Sequence, residues 1–274
     1  MLGHDLVSRI AAGGYDVLAV DRDEIDITDP QSVDAVVGGV DVVVNVAAFT
    51  AVDKAEEQEA VAFAVNATGP EILARRCKSI GARLVHISTD YVFGGESNEP
   101  YAEDEILTPC GAYGRTKAAG EWAVRTYTDD YLIVRTAWLY GRYGHSFPAT
   151  MKALAQTHAS IDVVTDEVGQ PTWTVDLADL IVRLVDSNVP SGIYHGTSSG
   201  ETNWNGFARA IMESIGKDPT IIKETTAAAF DRPAPRPHYS VLSHDTLRAV
   251  GVEPIGNWLE RWRIASPIVL GTGA

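Results

Sequence analysis

The sequence predicts an α/β fold, a doubly wound parallel sheet with a smaller lobe toward the C-terminus. Three observations predict it. Short β-branched apolar runs at 15–20, 41–47, 83–89 and 131–139 alternate with helical patterns at 31–37, 56–79 and 112–126. Strand–helix alternation of this kind builds βαβ units. Runs such as Val42-Val43-Val44 show no polar alternation, which suits parallel strands buried on both faces. The chain of 274 residues is 45% apolar and 22% charged, a globular balance long enough to bury a core.

The elements follow in order. A helical pattern over 2–11 is closed by Gly13-Gly14. The run 15–20 reads as a strand ending at Asp21, 18 positions after Gly3. In a Rossmann-type sheet this spacing separates the last glycine of a Gly-rich turn from the acid that meets an adenosine ribose. Such a sheet opens with a strand, so Met1-Leu2-Gly3 reads as the remnant of a fingerprint whose first strand is missing. The runs 41–47, 83–89 and 131–139 are then successive strands of one sheet. Beyond them lie a run at 161–165, a helix at 175–186, a strand at 192–197 and a helix at 204–215. The stretch Arg232-Pro233-Ala234-Pro235-Arg236-Pro237 reads as a loop. The dinucleotide-binding part is expected at 1–142 plus 175–200, and the substrate-binding lobe at 143–174 plus 201–274.

Composition narrows the function. Lys plus Arg number 22 against 37 Asp plus Glu, a net charge of −15. That surface repels polyphosphate, so nucleic acid is not an expected partner. No apolar run has the length of a membrane span, and the opening residues lack the pattern of a signal peptide. Cys77 and Cys110 are too few for a disulfide framework or a four-ligand zinc site. The expectation is a cytoplasmic protein.

One constellation carries chemistry. Tyr113 and Lys117 stand four apart in Tyr113-Gly114-Arg115-Thr116-Lys117, on one helix face. A free phenol, with a pKa of about 10, is a poor acid–base group at neutral pH, and a nearby cation stabilises its phenolate. Taken alone, such a pair is in most cases only a surface helix pair. The strand 83–89 ends at Thr89, where open α/β sheets bind ligands. A threonine hydroxyl there can donate to a substrate carbonyl or serve only as a turn hydroxyl. Asn45-Val46-Ala47-Ala48 ends the preceding strand, and small residues there let a flat ring approach or simply pack closely.

These motifs carry a resemblance. Thr89-Asp90-Tyr91-Val92-Phe93, Tyr113 to Glu121, and Asn45 to Asp53 resemble the extended short-chain dehydrogenase/reductases. With Arg135 to Tyr140, Gly169-Gln170-Pro171-Thr172 and Arg236 to Leu242, the chain is similar to the dTDP-4-dehydrorhamnose reductase family from Gly3 to about Trp262.

The resemblance implies NADPH or NADH as cofactor and a dTDP-linked 4-keto-6-deoxy sugar as substrate. It makes Tyr113 the proton donor, Lys117 its pKa modifier and ribose contact, and Thr89 the residue that orients the keto oxygen. Met1, Leu2, Gly3, Asp21, Arg22, Asp26, Ile27, Ala47, Ala48, Phe49 and Thr50 would border the cofactor, together with Tyr113 and Lys117. Asp90, Tyr91 and Trp138 would line the sugar. Arg236 would face the diphosphate, or be an ordinary loop arginine. Trp173, Trp204, Trp258 and Trp262 read as packing. Arg22 suits a 2′-phosphate and Asp21 a free ribose hydroxyl, which leaves the two cofactors open.

Two departures matter. The missing first strand leads to the expectation that Met1 is a mis-called start and that an extended form binds cofactor better. A family acid that helps hold a bridging metal falls near Val175, so no metal is expected, and the chain is expected to be a monomer or weak homodimer. Two further readings stay open: another sugar-nucleotide 4-reductase or 4-epimerase, and a non-catalytic subunit similar to the regulatory subunit of methionine adenosyltransferase. A 4,6-dehydratase fits poorly, because Tyr91 stands where that family carries an acid.

Overall fold

The computed structural model describes residues 1–271. Helix α1 (Leu2–Ala12) opens the chain, followed by α2 (Pro30–Val36) and strand β1 (Val42–Asn45). Then come α3 (Val52–Glu57), α4 (Glu59–Phe63), a π turn at Ala64–Thr68, α5 (Gly69–Ile80), β2 (Arg83–Thr89), α6 (Ala112–Tyr127) and β3 (Tyr131–Thr136). The second half contains β4 (Leu139–Tyr140), α7 (Phe147–Thr157), β5 (Ile161–Val164), β6 (Val168–Gly169), β7 (Thr172–Trp173), α8 (Thr174–Asp186) and β8 (Gly192–His195). It ends with β9 (Ser198–Ser199), β10 (Thr202–Asn203), α9 (Trp204–Ser214), β11 (Ile222–Thr225), α10 (Asp245–Ala249), β12 (Ile255–Asn257) and α11 (Trp258–Leu270).

The central sheet runs β1-β2-β3-β8, all parallel, with Asn45 beside His86 and Ser88 beside Arg135. Alternation along the strands sorts side chains to two faces. Val85, Leu132 and Val134 pack with Leu2 and Leu6 of α1 and Leu177 and Ile181 of α8. Leu84 and Ile133 face the other way, onto Leu73 and Cys77 of α5 and Val124 of α6. The second half closes over its own core of Tyr140, Phe207 and Trp262. Among the described residues, no helix is long and apolar enough to cross a membrane.

Three expectations need correction. The run 15–20 forms no strand and is exposed, Leu18 at 65%. A strand needs a neighbour's N–H and C=O groups, and β1, at the edge of the sheet, is hydrogen-bonded to β2 alone. Asp21 and Arg22 therefore sit in an exposed turn rather than at a strand end. The expected helix 56–79 is interrupted at Gln58; from Glu59 to Ile80 it runs on without a break through the π turn, with Pro70 just beyond that turn. The expected strand 131–139 stops at Thr136, because Trp138 turns the chain with φ of 45°.

Candidate active site

Parallel strands deliver their carboxyl ends to one edge, and the singled-out residues gather there. Thr89 ends β2 and is buried, as is Asp90. The Thr89 hydroxyl donates to Asp90 Oδ1 at 2.9 Å and accepts the Tyr91 N–H at 3.2 Å. Asp90 Oδ2 is buried without a partner among the described residues. Burial pushes the Asp90 carboxyl up to about 6. A buried oxygen without a partner is costly, and this one lies next to Thr89 at the end of β2.

Helix α6 carries Tyr113 and Lys117 past this point. It can come this close because two of its residues are glycines: a Cβ at Gly114 would overlap the Tyr91 carbonyl, and one at Gly120 the Asn66 carbonyl. Tyr113 meets Tyr91 edge-on at 5.5 Å. Burial pushes the Tyr113 phenol up to about 12, with the Thr89 hydroxyl pulling the other way. Lys117 is buried, donates to the Ile87 carbonyl at 2.6 Å, and is brought down by burial to about 8. Both groups thus lean toward their neutral forms. The expected lowering of the phenol pKa does not occur in this chain by itself: burial and the Asp90 charge raise it, and only the Thr89 hydroxyl opposes them.

Asn66, which sequence reasoning missed, joins this helix to the loop after β1. It accepts the Phe49 N–H at 2.8 Å, donates to the Phe49 carbonyl at 3.1 Å, and donates to Thr116 at 3.0 Å. It sits in the π turn, a feature common at functional sites. Ala47, Ala48, Phe49 and Thr50 therefore form a fixed lip. A dinucleotide needs small residues, a helix N-terminus and a ribose acceptor. Gly3, in the first turn of α1, lies beside this lip, where a Cβ would sit 3.6 Å from Val46. Leu2 is buried in the core, and the Met1 side chain lies against Gly141. Asp21 is exposed and held as an anion by the Asp23 N–H. Asp26 is occupied by Thr28, while Ile27 packs over Gly69. Of the residues expected to border the cofactor, Leu2 is taken up by the core, while Gly3 lies beside the loop 47–50 and Asp21 and Asp26 are exposed.

On the far side, Trp138 stacks on Trp204 at 3.6 Å, and its ring lies where a Cβ of Gly169 would be. Its positive φ costs about 1–3 kcal/mol, a strain that clusters at ligand sites. Trp204 packs between Trp138 and Phe147 at the edge of the core that holds Trp262 and Trp173. Arg236 donates to both Asp53 oxygens, at 2.6 and 2.8 Å. This clamps the Pro-rich loop to α3, and the guanidinium reaches any anion only alongside that carboxylate.

The first 265 residues match the family model described as the RmlD substrate binding domain. The chain belongs to the RmlD family. It is 44% identical over 262 residues to the dTDP-4-dehydrorhamnose reductase of Mycobacterium tuberculosis, covering 94% of this chain and 86% of that protein. It is 46% identical to a probable dTDP-4,6-dihydroxy-2-methyloxan-3-one 4-ketoreductase of Streptomyces antibioticus, covering 98% and 92%. The Bacillus anthracis dTDP-4-dehydrorhamnose reductase, solved in complex with NADP, superposes with a TM-score of 0.91 at 35% identity, covering 96% and 95%. For an RmlD-family chain, the cluster of Thr89, Asp90, Tyr113 and Lys117 at one sheet edge is the candidate reaction centre.

Proposed function

We propose that the chain reduces the C4 keto group of dTDP-4-dehydro-6-deoxy-L-mannose to give dTDP-L-rhamnose, with NADPH or NADH as reductant. The observation that carries this reading is Tyr113 beside Thr89 and Asp90 at the end of β2, with Lys117 one turn further along α6. When bound, the nicotinamide supplies a hydride to C4. The residues do the rest. Thr89 orients the keto oxygen. Tyr113 breaks its O–H bond and gives the proton to that oxygen, which becomes the C4 hydroxyl, leaving a phenolate. Lys117 as an ammonium stabilises that phenolate and holds the ribose. Asp90 Oδ2 receives a sugar hydroxyl. Gly3, Ala47, Ala48, Phe49 and Thr50, with Asp21 or Arg22 at the ribose, hold the cofactor. The reading places this chemistry in the cytoplasm, on a monomer or weak homodimer, a point that sedimentation decides.

Oxidation of NADPH and NADH, followed with a panel of dTDP-4-keto-6-deoxy sugars, tests the proposal. Turnover with the L-rhamnose precursor above the other sugars supports it. Preference for another 4-keto sugar reassigns the substrate, and no oxidation with any sugar despite cofactor binding removes the reductase reading.

Trp138 gives a sharper test of the sugar side. Trp138→Gly removes the ring while tolerating the positive φ, so backbone strain does not confound the result. The sugar-nucleotide KM is expected to rise on the order of tenfold, the scale of one aromatic contact, with cofactor affinity unchanged. Chemical denaturation provides the control: a large stability loss with an unchanged KM makes Trp138 a packing residue.

A further inference from the structure

The sheet side of α6 meets a buried imidazole that the mechanism above does not use. His86 is fully buried in β2, beside Asn45 of β1. Asn45 Nδ2 lies 3.1 Å from His86 Nδ1. The other end of that amide sets its orientation, since Asn45 Oδ1 accepts the Ala47 N–H at 3.1 Å. An amide NH2 only donates, so His86 Nδ1 must accept, and a neutral ring then carries its proton on Nε2. Burial and the Lys117 charge hold the imidazole well below its ordinary pKa, so the ring is neutral. Nε2 lies 3.5 Å from Lys117 Nζ.

An Nε2–H facing an ammonium sets donor against donor, whereas it can donate to an uncharged amine. The other groups around Lys117 do not reverse this. Glu121, one turn along α6, is taken by Arg135 of β3 and Ser88 of β2. Tyr113, on the same helix, is a neutral phenol, Asp90 beyond β2 is engaged by Thr89, and Asn66 and Thr116 bond each other. The Ile87 carbonyl is the one acceptor in hydrogen-bond contact with the lysine among the described residues.

We propose that His86, its tautomer set by Asn45, is a positioning residue that holds Lys117 between amine and ammonium. The lysine then takes up a proton from solvent as Tyr113 loses one. A permanently charged lysine would carry its burial cost in every resting enzyme; a balanced one takes on its charge as the phenolate forms, when that charge is offset. The proposal rests on the reading of Lys117 as the partner of Tyr113.

Nitrogen NMR of the full chain labelled in histidine reads the tautomer without any variant, with the His86 signals identified by their loss in His86→Gln. A proton on Nε2 and a bare Nδ1 are expected. Carbon NMR of labelled lysine, with six lysines in the chain and Lys117 assigned through Lys117→Met, reads its titration midpoint, expected near 8. In Asn45→Asp, a carboxylate accepts from Nδ1–H and frees Nε2 to accept from the ammonium. The midpoint is expected to rise by about one unit. His86→Gln, whose carbonyl can accept, is expected to move it the same way. A proton on Nδ1 in the unmodified chain, or an unmoved midpoint in both variants, overturns the proposal. NADPH affinity measured against pH reports separately: a moved midpoint with unmoved affinity supports the His86 role while removing Lys117 from the cofactor site.

Discussion

Tyr113→Phe is expected to lower turnover by about 10²–10⁴, the scale of a lost general acid, while fold and cofactor affinity stay as they are. In free energy this is roughly 3–5 kcal/mol of transition-state stabilisation. The substitution removes one oxygen and keeps the ring that packs edge-on against Tyr91. With its phenol pushed up to about 12 by burial, Tyr113 is protonated throughout the neutral range. That state suits a donor to a nascent alkoxide, which is more basic than a phenolate. Tyr113 is therefore expected to cause no loss of rate as pH rises through the neutral range, and single-turnover kinetics across pH checks this. Turnover close to wild type in the variant would take Tyr113 out of proton transfer and leave solvent as the donor.

The frame of this site is legible in the sequence because both-face-buried strands are readable one at a time. Val42–Asn45, Arg83–Thr89 and Tyr131–Thr136 are β-branched runs of the right length, and each becomes a strand. The run 15–20 has the same composition, but no ladder forms there among the described residues. Tyr113, Lys117 and Thr89 were legible as a spacing on a helix and a strand end. Asn66 was not, because its partners lie 17 and 50 residues away in sequence. Nor was the polar seam under α6. His86, Ser88 and Arg135 sit in strands read as apolar, and only the register sets Asn45 beside His86 and Ser88 beside Arg135. Polar residues at alternate positions of a buried strand were the signal, and they require a polar helix face opposite.

That seam leads to the second large effect, at Arg135 and Glu121. The two are joined by two hydrogen bonds, at 2.9 and 2.7 Å, and each is 1% exposed. Ser88 donates to the same carboxylate, and Arg135 Nη1 donates to the Glu103 carbonyl. Arg135→Met leaves Glu121 buried and uncompensated, which is expected to cost about 3–5 kcal/mol in chemical denaturation. Glu121→Leu is expected to cost a similar amount for the opposite charge. The double variant removes both desolvation penalties, so its loss should be well below the sum, at about 1–2 kcal/mol for the stranded Ser88 hydroxyl and Glu103 carbonyl. A loss equal to the sum would mean that the two charges do not act as a pair. The pair also ties α6 to β3 one turn beyond Lys117. If it registers that helix, the double variant should fold yet turn over more slowly at unchanged cofactor KM. A double variant as fast as wild type would confine the ion pair to stability.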